Sequence, residues 1–351
     1  HFFNPPRYLR LLEVIPTVDT DPNVTDAIVN FGSQRLGKGV VIAKDTPGFI
    51  ANRIGLFAVA QALRELVAGN FTIEEIDGIT GPLLGRPRSA TFRTLDVAGI
   101  DIFSAVTSDL TKRLNNKQER EEFSLPPLIA EMVERGWVGE KAGQGFYKKN
   151  VVKNKREILT LDHTTMEYRS KRPMQLSRLD VAQAIPDLPT RIRELFLGED
   201  RIGKFLRETL TPTLVYTATI APTIAHSIDD IDRAMRWGFG WELGPFELWD
   251  AIGIANVLDA SGKKHEPELI GTVKEDPVSG DRQLRSTQVP PAGPELQILR
   301  QSKEANKVVK KNPGASLIDL GDGVLGIEFH SKMNAIGADT VAMLQAGVEE
   351  A

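Results

Sequence analysis

Cysteine is absent from all 351 residues, which excludes disulfide staples, zinc–thiolate centres and thiol catalysis together and is compatible with a reducing compartment such as the cytoplasm. Long apolar runs are missing as well. No stretch of about 18 apolar residues occurs, so no membrane-spanning segment is expected. The opening residues are not a charged region followed by an apolar core, as an export signal would be. Neither sign of charge dominates: 43 basic and 47 acidic residues leave a net −4, no field that would draw in nucleic acid. An initiator methionine is also lacking, and since the sequence opens inside a motif it reads as a piece of a longer polypeptide. What is present is ordinary for a globular protein, 41% hydrophobic and 26% charged residues, with length for two or three domains.

Three polar residues near the start stand where apolar neighbours should carry them against a packed interior. His1 heads Phe2-Phe3, which Asn4-Pro5-Pro6 cuts off, and reads as the end of a short buried strand entering a turn. Glu13 lies inside the apolar run Leu11 to Ile15, the pattern of a mostly covered strand. An ionised carboxylate there is costly unless paired. A histidine is the natural partner, because the carboxylate fixes the tautomer of the ring and raises the basicity of its other nitrogen. His1 and Glu13 thus form a candidate general-base dyad; the alternative is a strand-edge charge facing water and a histidine without a role. Thr46 is expected to cap a helix that begins at Pro47 and runs to about Ala68, with Gly69-Asn70 as its stop. Leu56, Val59, Leu63 and Val67 form its apolar stripe, and four residues before Leu56 stands Asn52. An amide there needs partners, either a ligand or simply backbone.

The run His1-Phe2-Phe3-Asn4-Pro5, then Leu12-Glu13-Val14-Ile15, then Lys44-Asp45-Thr46-Pro47-Gly48-Phe49-Ile50-Ala51-Asn52-Arg53 resembles the L-3-hydroxyacyl-CoA dehydrogenase family of fatty-acid β-oxidation, in order and at similar spacing. The resemblance implies an oxidoreductase that converts 3-hydroxyacyl-CoA to 3-ketoacyl-CoA with NAD as cofactor, and no metal. It assigns His1 as the base that takes the 3-hydroxyl proton as hydride leaves, Glu13 as the group that orients it, and Asn52 as a contact to the reacting group. The family's substrate-binding serine lies upstream of the histidine motif and has no counterpart here. With most of the nucleotide-binding half not in the sequence, the isolated 351 residues are expected to be inactive. Two rival readings stand beside this one, a helical dimerisation and scaffold module, and another β-hydroxy-acid dehydrogenase with a helical second domain.

The expected architecture is mainly α: residues 1–45 as the end of a Rossmann α/β domain, 46–150 as a first helical domain, 151–185 as a linker, 186–265 as a second helical repeat, 266–313 as a linker and helix, and 314–351 as the start of another domain. A helix is expected from Val24 to Leu36, with Val24, Ala27, Ile28 and Phe31 apolar, followed by a buried strand over Val40 to Ala43. Repetition is visible at an offset of 155, where Ile73-Glu74-Glu75-Ile76-Asp77 is echoed by Ile228-Asp229-Asp230-Ile231-Asp232. Gly85, Phe92, Asp96 and Gly99 correspond, with one residue of slippage, to Gly240, Phe246, Asp250 and Gly253. Asn52 maps near Arg207 and Glu208, so the amide has no equivalent in the second copy. That copy should therefore support the first or build a homodimer interface. The spaced glycines of Gly139 to Tyr147 precede no helix and do not suit a phosphate cradle. Gly321, Gly323 and Gly326 spell a dinucleotide signature between two strands rather than at a helix start, which makes it a hairpin. A helix with a basic end at Lys307, Lys310 and Lys311 is expected from Glu295. After the hairpin, Met333-Asn334-Ala335-Ile336 and a helix from Asp339 resemble the opening of the enoyl-CoA hydratase (crotonase) family, which implies a fused dehydrogenase and hydratase.

Overall fold

The computed structural model describes residues 1–152, 155–174, 176, 179–262, 266–274, 282–284, 299, 302–303, 306–321, 323–331 and 335–351. They are mainly helical and fall into two compact units, His1–Thr20 with Val41–Ser286, and Asp21–Val40 with Thr287–Ala351.

Strand β1 (Leu11–Val14), in the first unit, lies beside β2 (Gly39–Ile42), of which Val41 and Ile42 belong to that unit. A bridge between Phe2 and Leu12, with Glu13 N–H donating to the His1 carbonyl, brings the opening residues back along β1. Helix α2 (Ala51–Val67) is the central element, with Ile54, Leu63 and Leu66 fully buried. It begins four residues later than the Thr46 cap predicts. Gly48 and Phe49 both have positive φ, 76° and 51°, and this left-handed pair makes residues 47–50 a turn that no helix can continue through.

Helix α3 (Ile73–Thr80) opens on a capping box in which Thr72 and Glu75 exchange hydrogen bonds. Next come α4 (Phe92–Ala98), α5 (Ile100–Arg113), α6 (Lys117–Glu122) and α7 (Pro127–Glu134). The segment 151–185, expected as an irregular linker, instead carries an antiparallel sheet, β3 (Tyr147–Val152), β4 (Lys155–Asp162) and β5 (Glu167–Ser170), then α8 (Leu179–Gln183). Its strands carry no apolar alternation that would mark them in the sequence. Among the described residues of these strands, the buried positions are Thr160 and Leu161.

The second helical set runs through α9 (Leu188–Phe196), α10 (Arg201–Ile224), α11 (Ile228–Phe239), α12 (Pro245–Ile252), α13 (Ile254–Ala260) and α14 (Glu268–Gly271). Trp249 and Phe246 are fully buried in its core. Two contacts recur between the sets. Asp77 accepts the N–H groups of Thr91, Phe92 and Arg93 at the start of α4, and Asp232 accepts that of Phe246 at the start of α12. Asp96 accepts from Phe146 and Tyr147, as Asp250 does from Leu284. Both carboxylates at 96 and 250 therefore serve the backbone. Burial pushes Asp77 and Asp96 up to about 6 each, against the lowering effect of those N–H donors. A Cβ on Gly145 would stand 2.1 Å from Asp96 Oδ1, so this glycine is required by the close approach of a carboxylate and not by a phosphate.

In the second unit, α1 (Pro22–Asn30) is capped by Asp21 and passes into a π-helical turn at Phe31–Arg35, so the helix read from Val24 to Leu36 changes pitch at its midpoint. Its apolar residues Val24, Ile28 and Phe31 are exposed. A three-stranded antiparallel sheet follows later, β6 (Val308–Lys311), β7 (Ala315–Gly321) and β8 (Val324–Phe329), and then a helix at Ala338–Glu350. Lys310 and Lys311, expected at the basic end of a helix, lie in β6, where pairing with Leu317 and Ser316 supplies hydrogen bonds that a helix end would lack. Glu295, Pro277, Pro290, Pro291, Pro294, Met333 and Asn334 lie outside the described residues.

Candidate active site

Strand β1 places Glu13 with its side chain wholly buried, a position that demands compensation for the charge. Two elements supply it. The carboxylate Oε2 stands 2.6 Å from His1 Nδ1. The other oxygen, Oε1, accepts the N–H groups of Ile50 and Ala51 at 3.2 and 2.9 Å. Those are among the donors that the first turn of α2 leaves without helical partners, so Glu13 caps that helix from 38 residues away and sits at the positive end of its dipole. The cap expected at Thr46 is supplied by Glu13 instead.

The His1 ring is about a quarter exposed and packs edge-on against Phe3, centroids 4.8 Å apart, and against Phe49 at 5.4 Å. With Nδ1 engaged by a carboxylate, the ring holds its Nδ1 proton and leaves Nε2 as the basic nitrogen. Asn52 follows Ala51 on α2, half-buried, and no described residue pairs with its amide. It lines a depression of about 350 Å³ with Thr46, Pro47, Gly48, Phe49 and, from α5, Val106 and Arg113. Phe49 belongs to both places, wall of the depression and neighbour of the His1 ring. A larger hollow of about 420 Å³ lies over α3 and β4 and contains none of the three residues. Its acids are already committed, Glu74 to Arg169, Asp77 to the start of α4, and Glu140 to Arg93 and Lys149.

Sequence reasoning passed over the residues that support this arrangement. Arg53 is almost wholly buried, and its guanidinium donates to Pro47 O (2.8 Å), the Tyr216 hydroxyl (2.7 Å) and Glu119 (2.5 Å). An arginine inside an apolar stripe was a signal that could have been read, since a buried guanidinium must be paired. Tyr216, 163 residues later on α10, and Glu119 on the polar α6 carry no such signal. In the second set, Arg207 near the position matching Asn52 donates to the carbonyls of Phe196 and Gly198 and so fastens a chain turn.

The 3-hydroxyacyl-CoA dehydrogenase NAD-binding domain model matches residues 1–46, and the 3-hydroxyacyl-CoA dehydrogenase C-terminal domain model matches residues 48–149 and 206–278, together more than half of the chain. The chain belongs to the 3-hydroxyacyl-CoA dehydrogenase family. A family relative from Bacillus subtilis, named as a probable 3-hydroxyacyl-CoA dehydrogenase, is 43% identical over 100% of this chain and 45% of its own length. A protein of Rickettsia felis, named as a trifunctional enzyme of a fatty acid oxidation complex, is 28% identical over 100% of this chain and 46% of its own. A 3-hydroxybutyryl-CoA dehydrogenase of Escherichia coli, known as a crystal structure, aligns with 74% of this chain and 64% of that one at 21% identity and a TM-score of 0.49. This member of the dehydrogenase family spans less than half the length of the curated relatives it matches over its whole extent.

Proposed function

We propose that this chain supplies the acid–base and substrate side of an NAD-dependent oxidation of L-3-hydroxyacyl-CoA to 3-ketoacyl-CoA, a step of fatty-acid β-oxidation. The observation that carries the reading is the buried Glu13 carboxylate, bonded at once to His1 Nδ1 and to the start of the helix that bears Asn52. His1 Nε2 takes the proton of the 3-hydroxyl, and the imidazolium that forms is stabilised by Glu13, which is already oriented and needs no reorganisation. The unpartnered Asn52 amide donates to the substrate oxygen where negative charge develops. Val106 and Leu110 beside it offer apolar surface to the acyl portion. NAD, when bound, accepts the hydride from C3. Among the described residues no glycine-rich turn opens a helix as a nucleotide phosphate requires, so this chain's own share is the base, its support and the substrate wall.

The related contacts of Asp77 and Asp232, and of Asp96 and Asp250, support a reading of residues 46–150 and 186–265 as two copies of one helical unit. The second copy supports the first and offers a surface for a homodimer. A further enzymatic domain fused to this chain is supported by the Rickettsia relative's name as a trifunctional enzyme, and the resemblance of residues 333–351 to the opening of a hydratase gives that domain its class. A cytoplasmic place of action is supported by the absence of cysteine. The decisive experiment replaces the base. In the full polypeptide that carries this chain, His1→Gln lowers kcat for NADH formation about 10²- to 10⁴-fold with little change in KM. Turnover at the unsubstituted rate overturns the reading.

A further inference from the structure

The residues that hold the 46–49 turn come in part from the far helical set, and Tyr216 is the centre of that attachment. Its hydroxyl accepts from Arg53 Nε at 2.7 Å and donates to Glu119 Oε1 at 2.7 Å, while its ring stacks on Phe57, centroids 4.1 Å apart and planes within 4°. Burial raises its ionisation well above the ordinary phenol range, against the pull of Arg53 and with the support of Glu119, so the hydroxyl keeps its proton and its role as donor. With two of its faces so engaged, the Arg53 guanidinium has one orientation, and its remaining arm donates to Pro47 O at 2.8 Å. Pro47 begins the turn that carries Phe49 against the His1 ring. The other end of the turn is tied to the same helix. Lys44 N–H and Nζ donate to Ile224 O and Pro222 O at the C-terminus of α10, and Ala43 bridges Ala225.

We propose that Tyr216 is a positioning residue for the reaction, which fixes the 46–49 turn through Arg53 and so holds Phe49 and the start of α2 in register with the His1–Glu13 pair. The inference rests on the reading of His1 as the base. A turn with two left-handed residues has little of its own to keep it in place, and a shift of about 1 Å in a catalytic constellation costs on the order of 100-fold in rate. The second helical set thereby acts on the chemistry without supplying a group to it.

The test compares Tyr216→Phe with Ile252→Val, a core substitution elsewhere in the second set, in the full polypeptide, by NADH formation. The phenylalanine keeps the stack on Phe57 and removes only the hydroxyl. Tyr216→Phe is expected to lower kcat about 10-fold or more and to move the acid limb of the kcat/KM pH profile, with KM for NAD unchanged. Arg53→Lys, which cannot reach three acceptors, should behave alike. Ile252→Val should change neither kcat nor the profile. If Tyr216→Phe has the kcat and pH profile of the unsubstituted protein while His1→Gln shows its loss of about 10²-fold or more, the positioning role is overturned and the base remains. If His1→Gln turns over at the unsubstituted rate, the reading of the base is what has failed.

Discussion

Glu13 does two tasks with its two oxygens, and substitutions separate them. Glu13→Gln keeps the shape but turns an amide toward His1, so the ring can take the tautomer with its proton on Nε2 and the proposed base is lost. Activity should fall about 10²- to 10⁴-fold. The variant should also lose about 1–3 kcal/mol of stability, because a charged acceptor at the start of α2 becomes a neutral one. His1→Gln should lose comparable activity but little stability. Urea midpoints set beside kcat values for the two variants check the difference. Asp77 gives a prediction in pH. Burial raises its folded pKa from 3.8 to about 6, so the native state holds a proton that the unfolded chain has released. Stability from this group is full below pH 3.8 and falls as pH rises to 6, by up to about 3 kcal/mol. Asp77→Asn removes that dependence, and its stability deficit relative to the unsubstituted protein should therefore be smaller at pH 7 than at pH 4.5. A deficit that grows toward pH 7 would contradict the shift.

Among the elements, α2 was the most legible, because its apolar stripe has the 3.6-residue period over 17 residues. Its start was not. The Thr46-Pro47 pair has every local mark of a helix opening, and it lost to Gly48 and Phe49, whose left-handed backbone is held by contacts distant in sequence. Helix α6 escaped notice because it has no buried residue and hence no periodic signal, though Glu119 on it completes the Arg53 cluster. The packing of α2 on α11 can be tested at Gly55, where an added Cβ would stand 2.1 Å from Phe239 Cζ. On helix propensity alone Gly55→Ala should stabilise by about 1 kcal/mol. Overpacking against the ring reverses the sign, with an expected net loss of about 1–3 kcal/mol. The double variant Gly55→Ala, Phe239→Leu should recover part of that loss in thermal denaturation, and an additive loss would show that the two do not meet.

For the whole molecule, the described residues of the two units differ in how much core they form. The first has a continuous apolar interior from Phe3 and Leu11 to Ile270, whereas the buried cluster of residues 306–351 is Ala315, Leu317 and Met343 with Leu325, Ile327 and Phe329 against it. Amides of β7 and β8 should therefore exchange with deuterium orders of magnitude faster than those of α10, since local opening there exposes little apolar surface. Comparable protection in both would show that the small cluster is covered by something larger.

The sequence by itself determined the helical character and the family, and pointed to a hairpin and to the three candidate residues, because these rest on short-range signals: periodicity, turn chemistry and runs of specific side chains. It also displayed the 155-residue offset, and the acids near that spacing, Asp77 and Asp232, then Asp96 and Asp250, accept backbone N–H groups in the fold. Only the tertiary structure decided that Glu13 caps α2, that Phe49 joins the histidine to the Asn52 depression, and that Tyr216 reaches back to Arg53. Each is a pairing across tens to hundreds of residues, enforced by the cost of leaving a buried charge unsatisfied, and that cost exists only once the chain has closed around it.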